Sequence, residues 1–327
     1  MAMRQFKQFP TKHTDILHDV SYDYYGKRIA TSSSDGQVKV FDLDERGEWY
    51  CSSTLPEGHR GAVFKVDWAH PEFGQVLASC SFDKQVVIWE ERPVADKKSD
   101  KNSKMWKNVA FFVDSREPVY DVKFAPQHLG LKVATCSGDG NIRIYEAVDV
   151  MNLSNWSMIH QFHAFAQKAP PSSNHGMSLS WNTSTFDPAS LVVAGMGDKN
   201  PRIWEYNESH RVWQTVGVLE GNEDLVNDVA WAPNVGRSYE LIATAGKDGS
   251  VRIWKVKREE EGVYRATKES GLETARKDPV SRVQWNSTGT ILASSCDDGS
   301  VRMWKNNFFG KWSCLSVVQS SDGNGRF

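Results

Sequence analysis

AGKDGSVRIW (residues 245–254) sets an Asp six positions ahead of a Trp, and five other stretches repeat that arrangement. They are SSSDGQVKVF (32–41), CSFDKQVVIW (80–89), CSGDGNIRIY (136–145), GMGDKNPRIW (195–204) and CDDGSVRMW (296–304). The pairs are Asp35/Phe41, Asp83/Trp89, Asp139/Tyr145, Asp198/Trp204, Asp248/Trp254 and Asp298/Trp304, with the aromatics 48, 56, 59, 50 and 50 residues apart. Upstream of each Asp stands an aliphatic, any residue, then an aromatic: Val20/Tyr22, Val66/Trp68, Val122/Phe124, Leu179/Trp181, Val229/Trp231 and Val283/Trp285. A spacing kept through six copies marks an internal structural repeat.

Inside each copy the apolar period is two. Val38-Lys-Val40, Ile142-Arg-Ile144 and Val251-Arg-Ile253 alternate as half-buried strands do. A short apolar run precedes each Asp, and a further segment with its own aromatic follows each copy: Trp49, Trp106, Trp156, Trp213, Tyr264 and Trp312. Each copy thus reads as four strands, a to d from the axis outward. Four short strands repeated six times predict an all-β chain, a β-propeller of six four-stranded blades. The units span approximately 13–55, 56–113, 114–162, 175–219, 224–269 and 278–319 of a single domain over 1–319, and 320–327 reads as a flexible tail. The stretch at 257–277 has a helix-like composition, but Gly262 and Gly271 interrupt it and it reads as a d strand.

Composition agrees. Among 327 residues there are 13 Trp and only 39% hydrophobic residues, so the core rests on large aromatics set among small neighbours. Lys and Arg number 39 against 41 Asp and Glu, which offers no basic footprint for nucleic acid. No apolar run approaches a membrane span, and the start MAMRQFKQFPTKH lacks a signal-peptide core. The expectation is a soluble intracellular protein with neither direct nucleic-acid contact nor membrane insertion.

The repeat also bears on chemistry. A carboxylate in six equivalent slots is a turn device: Asp bonds its own backbone, and the Gly that follows Asp35, Asp139, Asp248 and Asp298 accepts positive φ. All six Asp are therefore read as structural, with His59 placed to donate to Asp83. Cys80, Cys136, Cys51 and Cys314 read as small residues at sites of close packing. His160 and His163 end a d strand whose alternation does not aim both at one ion, and His18-Asp19 reads as a satisfied pair at the core edge. No phosphate loop, nucleophile elbow or zincin motif is present. No catalytic, cofactor-binding or metal-binding residue is expected, and no cofactor.

Strand order carries the functional expectation. Each unit owns its d strand, and strand a of the first begins near Ile16, leaving too little chain upstream for another blade. The ring is then either closed with six blades or open and short of one. An open ring exposes the flanks of blades one and six, which only a blade added by another chain would cover. The residues nominated for that contact are Ile16, Val20 and Tyr22 in blade one and Val283 and Trp285 in blade six.

Several stretches resemble a known family. HTDILHDVSYDYYGKRIATSSSDGQVKVF (13–41), WAHPEFGQVLASCSFDKQVVIWEE (68–91), VDSREPVYDVKFAPQHLGLKVATCSGDGNIRIYEAVDVMNLSNWS (113–157), AWAPNVGRSYELIATAGKDGSVRIW (230–254) and VQWNSTGTILASSCDDGSVRMWK (283–305) are similar to the WD-repeat nucleoporins of the Sec-thirteen homologue (Seh) type. The likeness covers most of 13–319. It weakens around 163–201, where Pro201 falls at the start of strand c. The resemblance implies an open six-bladed propeller completed in trans by an α-solenoid nucleoporin. It also implies a non-enzymatic place among the other nucleoporins of the Y-shaped outer-ring coat, at the nuclear envelope. For some relatives it extends to the GATOR-two complex at the lysosomal surface, in amino-acid signalling to TOR, and to the kinetochore. The rival of the same fold is a Sec-thirteen-type subunit of the COPII vesicle cage, against which DVMNLSNWS speaks. A propeller enzyme would need convergent acids or His outside the repeated slots, and the sequence shows none.

Overall fold

The computed structural model describes residues 9–93, 104–165, 176–195, 197–259, 262–273, 277–308 and 310–319. The tail at 320–327 and most of the two polar connections at 91–104 and 166–176 lie outside the described residues. Six antiparallel four-stranded sheets account for the strands, each in simple sequence order. Blade one holds β1 (Leu17–Tyr22), β2 (Arg28–Ser33), β3 (Val38–Leu43) and β4 (Trp49–Thr54). Blade two holds β5 (Val63–Trp68), β6 (Val76–Ser81), β7 (Val86–Pro93) and β8 (Lys104–Phe112). Blade three holds β9 (Val119–Phe124), β10 (Lys132–Ser137), β11 (Asn141–Ala147) and β12 (Trp156–His163). Blade four holds β13 (Met177–Trp181), β14 (Ser190–Gly195), β15 (Asp198–Asn207) and β16 (Val212–Val218). Blade five holds β17 (Val226–Trp231), β18 (Glu240–Gly246), β19 (Ser250–Arg258) and β20 (Tyr264–Glu273). Blade six holds β21 (Val280–Trp285), β22 (Ile291–Cys296), β23 (Ser300–Asn306) and β24 (Trp312–Gln319). The fold is all-β, a WD-repeat β-propeller of six four-stranded blades.

The segment with helix-like composition is indeed strand, β20, paired along β19. Pro201, which put blade four in question, sits inside β15 and the sheet still forms. The β14/β15 register jumps between Val193 and Gly195, so Pro201 occupies an irregularity where no ladder donor is required. Its carbonyl still accepts from the Leu219 amide.

The chain divides into two compact halves of three blades each, Phe9–Ala166 and Gln167–Phe327. In the first, Ala30, Val38 and Val40 of blade one pack with Val63, Val66 and Leu77 of blade two. The same relation joins Val76, Val86 and Ile88 of blade two to Val122 and Phe124 of blade three. In the second half, Val192 and Ile203 of blade four meet Val229 and Trp231 of blade five. Leu241, Val251 and Ile253 of blade five meet Val283 and Trp285 of blade six. One rule covers all four junctions. The apolar residues of strand a look back to the preceding blade, and those of strand c look on to the next. Each such aliphatic contributes ~1.5–3 kcal/mol by burial.

Candidate functional site

The repeated carboxylates all lie in the turn between strands b and c. In every blade one carboxylate oxygen accepts the main-chain N–H two residues on: Gln37, Gln85, Asn141, Asn200, Ser250 and Ser300. The residue after the Asp is left-handed in five of the turns, including Lys84 at φ 70°, so blade two holds the same turn without a glycine.

The other carboxylate oxygen is satisfied in two ways. In blade two the His59 Nδ1–H donates to Asp83 across 3.2 Å and Nε2 lies 2.7 Å from Ser79 Oγ, which also accepts the Trp89 indole N–H at 2.8 Å. Blade one has the parallel chain His13–Asp35 (2.8 Å) and His13–Thr31 (2.9 Å), ending on Phe41 with no indole. His13 was not read from the sequence. Its signal was its place 22 residues before Asp35, against 24 for His59 and Asp83. In the remaining blades an Arg four residues after the Asp takes the role: Arg143–Asp139 at 2.6 Å, Arg252–Asp248 at 2.5 Å, Arg302–Asp298 at 2.8 Å and Arg202–Asp198 at 3.3 Å. Burial alone would raise the Asp139 carboxyl, but donation from Arg143, Ser137 and the Asn141 amide outweighs it and holds the group at about 2. For Asp298, bonds from Ser300 and Arg302 likewise overcome burial and give about 2. These carboxylates are fully engaged in holding turns and are not presented to a ligand.

The innermost strands carry a second pattern. The residue just before the strand-a aliphatic is Asp19, Lys65, Asp121, Ser178, Asp228 and Arg282 in blades one to six. In five blades the a/b register slips immediately before this residue, a bulge that re-aims it off the regular pleat. Asp19 accepts the Val66 amide of blade two at 3.2 Å. Asp228, buried, takes the Ser178 hydroxyl of blade four at 2.6 Å and the Val283 amide of blade six at 2.9 Å. Asp67 and Ser180, two residues further along the strand than this slot, do the same for the Phe124 and Trp231 amides. Asp228 thereby links three successive blades.

Of the nominated partner residues, the three in blade one are open. Val20 is 49% and Tyr22 58% exposed, and Ile16 lies beside them, also exposed. At the Val20 position the other blades carry Val66, Val122, Leu179, Val229 and Val283, each at most 5% exposed. Phe9 and Tyr22 flank Trp49 on blade one, with ring centroids 6.1 and 6.0 Å away. The two nominated residues of blade six are corrected. Val283 and Trp285 are buried against blade five, because strand-a side chains look back. The uncovered face of blade six belongs to strand c. Val301 is 37% exposed, whereas Val38, Val86, Ile142 and Val251 at the same position are at most 2% exposed, and Met303 beside it is half-buried. The face of blade one that looks back and the face of blade six that looks on are thus apolar and uncovered.

Cysteine packing splits in the same way. Cys80 and Cys136 are buried, and burial pushes both thiols up, as expected of small core residues. Cys51 and Cys314 are exposed on outer strands, so close packing does not explain them. His18 contacts Ser34 at 2.6 Å at the core edge. Among the described residues no group of three or more His, Cys, Asp or Glu is placed to hold a metal ion, and no helix is long and apolar enough to cross a membrane.

Comparison with known proteins follows the same lines. The family profile described as "WD domain, G-beta repeat" matches residues 4–42, 49–90, 106–146, 213–255 and 270–305. The matched stretches pass over 147–212, which contains most of the atypical fourth blade with Pro201. The chain is 44% identical over 326 residues to Nucleoporin SEH1 of Xenopus tropicalis, covering 95% of this chain and 87% of the relative. Identity to Nucleoporin SEH1 of Homo sapiens is 44% over 333 residues, covering 96% and 87%. For the Danio rerio protein of that name it is 43% over 332 residues, covering 97% and 88%.

Proposed function

Because this chain belongs to the WD-repeat family and, within it, to the SEH1 nucleoporins, we propose that it is a blade-accepting scaffold subunit of the nuclear pore's outer-ring coat. In this reading an α-solenoid nucleoporin donates a β-blade, and the propeller performs no catalysis. The observation that supports it is the contrast at one repeat position, where Val20 is 49% exposed and its five equivalents are at most 5% exposed. Burial of this position is the rule wherever a blade precedes, so an uncovered copy marks a seat rather than a finished surface. Val301 and Met303 supply the corresponding apolar face on blade six.

The test is a binding measurement with purified proteins. The chain is mixed with outer-ring α-solenoid nucleoporins carrying their insertion segments, and with a Sec-thirty-one-like cage protein, and co-elution is followed by size exclusion. Retention of a nucleoporin, lost in Val20→Asp, is the expected result. Retention of the cage protein alone would transfer the chain to the vesicle coat, and binding by neither would end the blade-accepting reading.

A further inference from the structure

Resting on that reading, we propose that the incoming blade carries a carboxylate on its innermost strand, one residue before its apolar anchor, and that Arg282 of blade six receives it. The argument comes from the inner slots already described. Where a slot holds a hydrogen-bond donor, the slot of the following blade holds an acid. Lys65 in blade two is followed by Asp121 in blade three, and β5 packs directly on β9. Ser178 in blade four is followed by Asp228 in blade five, and here the Ser178 hydroxyl donates to the carboxylate at 2.6 Å.

Arg282 is the third donor in this series. Its strand bulges immediately before it, as in blades two and five, so the side chain leaves the pleat in the same sense. Behind it, Nη1 stands 3.9 Å from Asp228, beyond hydrogen-bond range, and the side chain remains 37% exposed. Val283, next in the strand, is buried against blade five. A docking blade must cover Arg282, and a guanidinium covered without an acceptor is costly, whereas its planar fork suits a carboxylate. Lysine or an apolar residue at the incoming position would leave that charge unanswered.

The experiment uses the full chain and the purified α-solenoid nucleoporin that the parent protein retains. Arg282→Glu is expected to weaken binding about 30-fold, equivalent to ~2 kcal/mol, as for a buried charge pair broken on one side. Arg282→Lys should lose less. Replacing the acid of the partner's inner strand by Lys should restore binding to Arg282→Glu. Arg282→Gln, with a thermal midpoint for each variant, separates lost binding from lost folding. If Arg282→Glu and Arg282→Gln both fold and bind within about twofold of the parent, the carboxylate is wrong while blade acceptance stands. If the parent chain retains no solenoid protein, both proposals fall together.

Discussion

The carboxylate of Asp228 accepts the main-chain N–H of Val283 at 2.9 Å, fastening blade six to blade five from the inside. The other oxygen of Asp228 takes the Ser178 hydroxyl at 2.6 Å. Removing this acceptor leaves two buried donors unpaired and Arg282 without its nearest acid. Asp228→Ala should therefore cost ~3–5 kcal/mol, at the upper end for a broken buried network. Asp228→Asn, which keeps one acceptor, should cost less. Urea unfolding of the isolated chain gives the comparison; a loss below ~1 kcal/mol for the alanine variant would mean that the hub contributes little.

Two aliphatics at the same repeat position should behave oppositely. Val20 is exposed, so Val20→Asp is expected to change the stability of the isolated chain by no more than ~0.5 kcal/mol. Val66 is fully buried against blade one, and Val66→Asp places an unpaired carboxyl in an apolar contact, at ~3 kcal/mol or more. Thermal midpoints of the two variants decide it. Equal losses would show that Val20 is already covered in solution.

Blade count and strand order were legible because the Asp–aromatic spacing and the period-two alternation are local. Which way each strand faces was not. Val283 and Trp285 look like flank residues only when blade six is taken by itself. Their homologues Val66 and Trp68 reveal that strand a always looks back, and that follows from packing rather than from pattern. The Arg partners were in plain sight as Arg143, Arg202, Arg252 and Arg302, four residues after each Asp. Alternation made them look solvated, yet the turn curls the carboxylate onto the strand that follows it. Cys51 and Cys314 were misplaced for the opposite reason, since an outer strand's small residues need not face a neighbour.

The Asp139–Arg143 pair predicts an acid-sensitive component of stability. The carboxyl of Asp139 titrates near 3.8 when unperturbed and at about 2 in the fold. The stabilisation is complete above the higher value and is lost as pH falls through the lower one, because protonation removes the charge that Arg143 and the turn amide bind. Asp139→Asn should therefore flatten the dependence of the urea midpoint between pH 4 and about 2, while lowering stability at pH 7 by ~1–3 kcal/mol. Parallel curves for parent and variant would contradict the assignment.

Blade two offers the sharpest test of how the turns are held, since a single hydroxyl serves two neighbours. Ser79 Oγ lies 2.7 Å from His59 Nε2 and accepts the Trp89 indole N–H at 2.8 Å. All three side chains are buried. Ser79→Ala strands both groups with no water to replace the bond, and should destabilise by ~2–4 kcal/mol. Trp89→Phe removes one donor while keeping most of the ring packing, so the double variant should lose less than the two single losses added. Blade one is the internal control, because Phe41 already stands in place of that indole and Thr31 serves His13 at 2.9 Å. Thr31→Val should accordingly cost less than Ser79→Ala. An equal or larger loss at Thr31 would mean that the indole bond adds nothing to the turn.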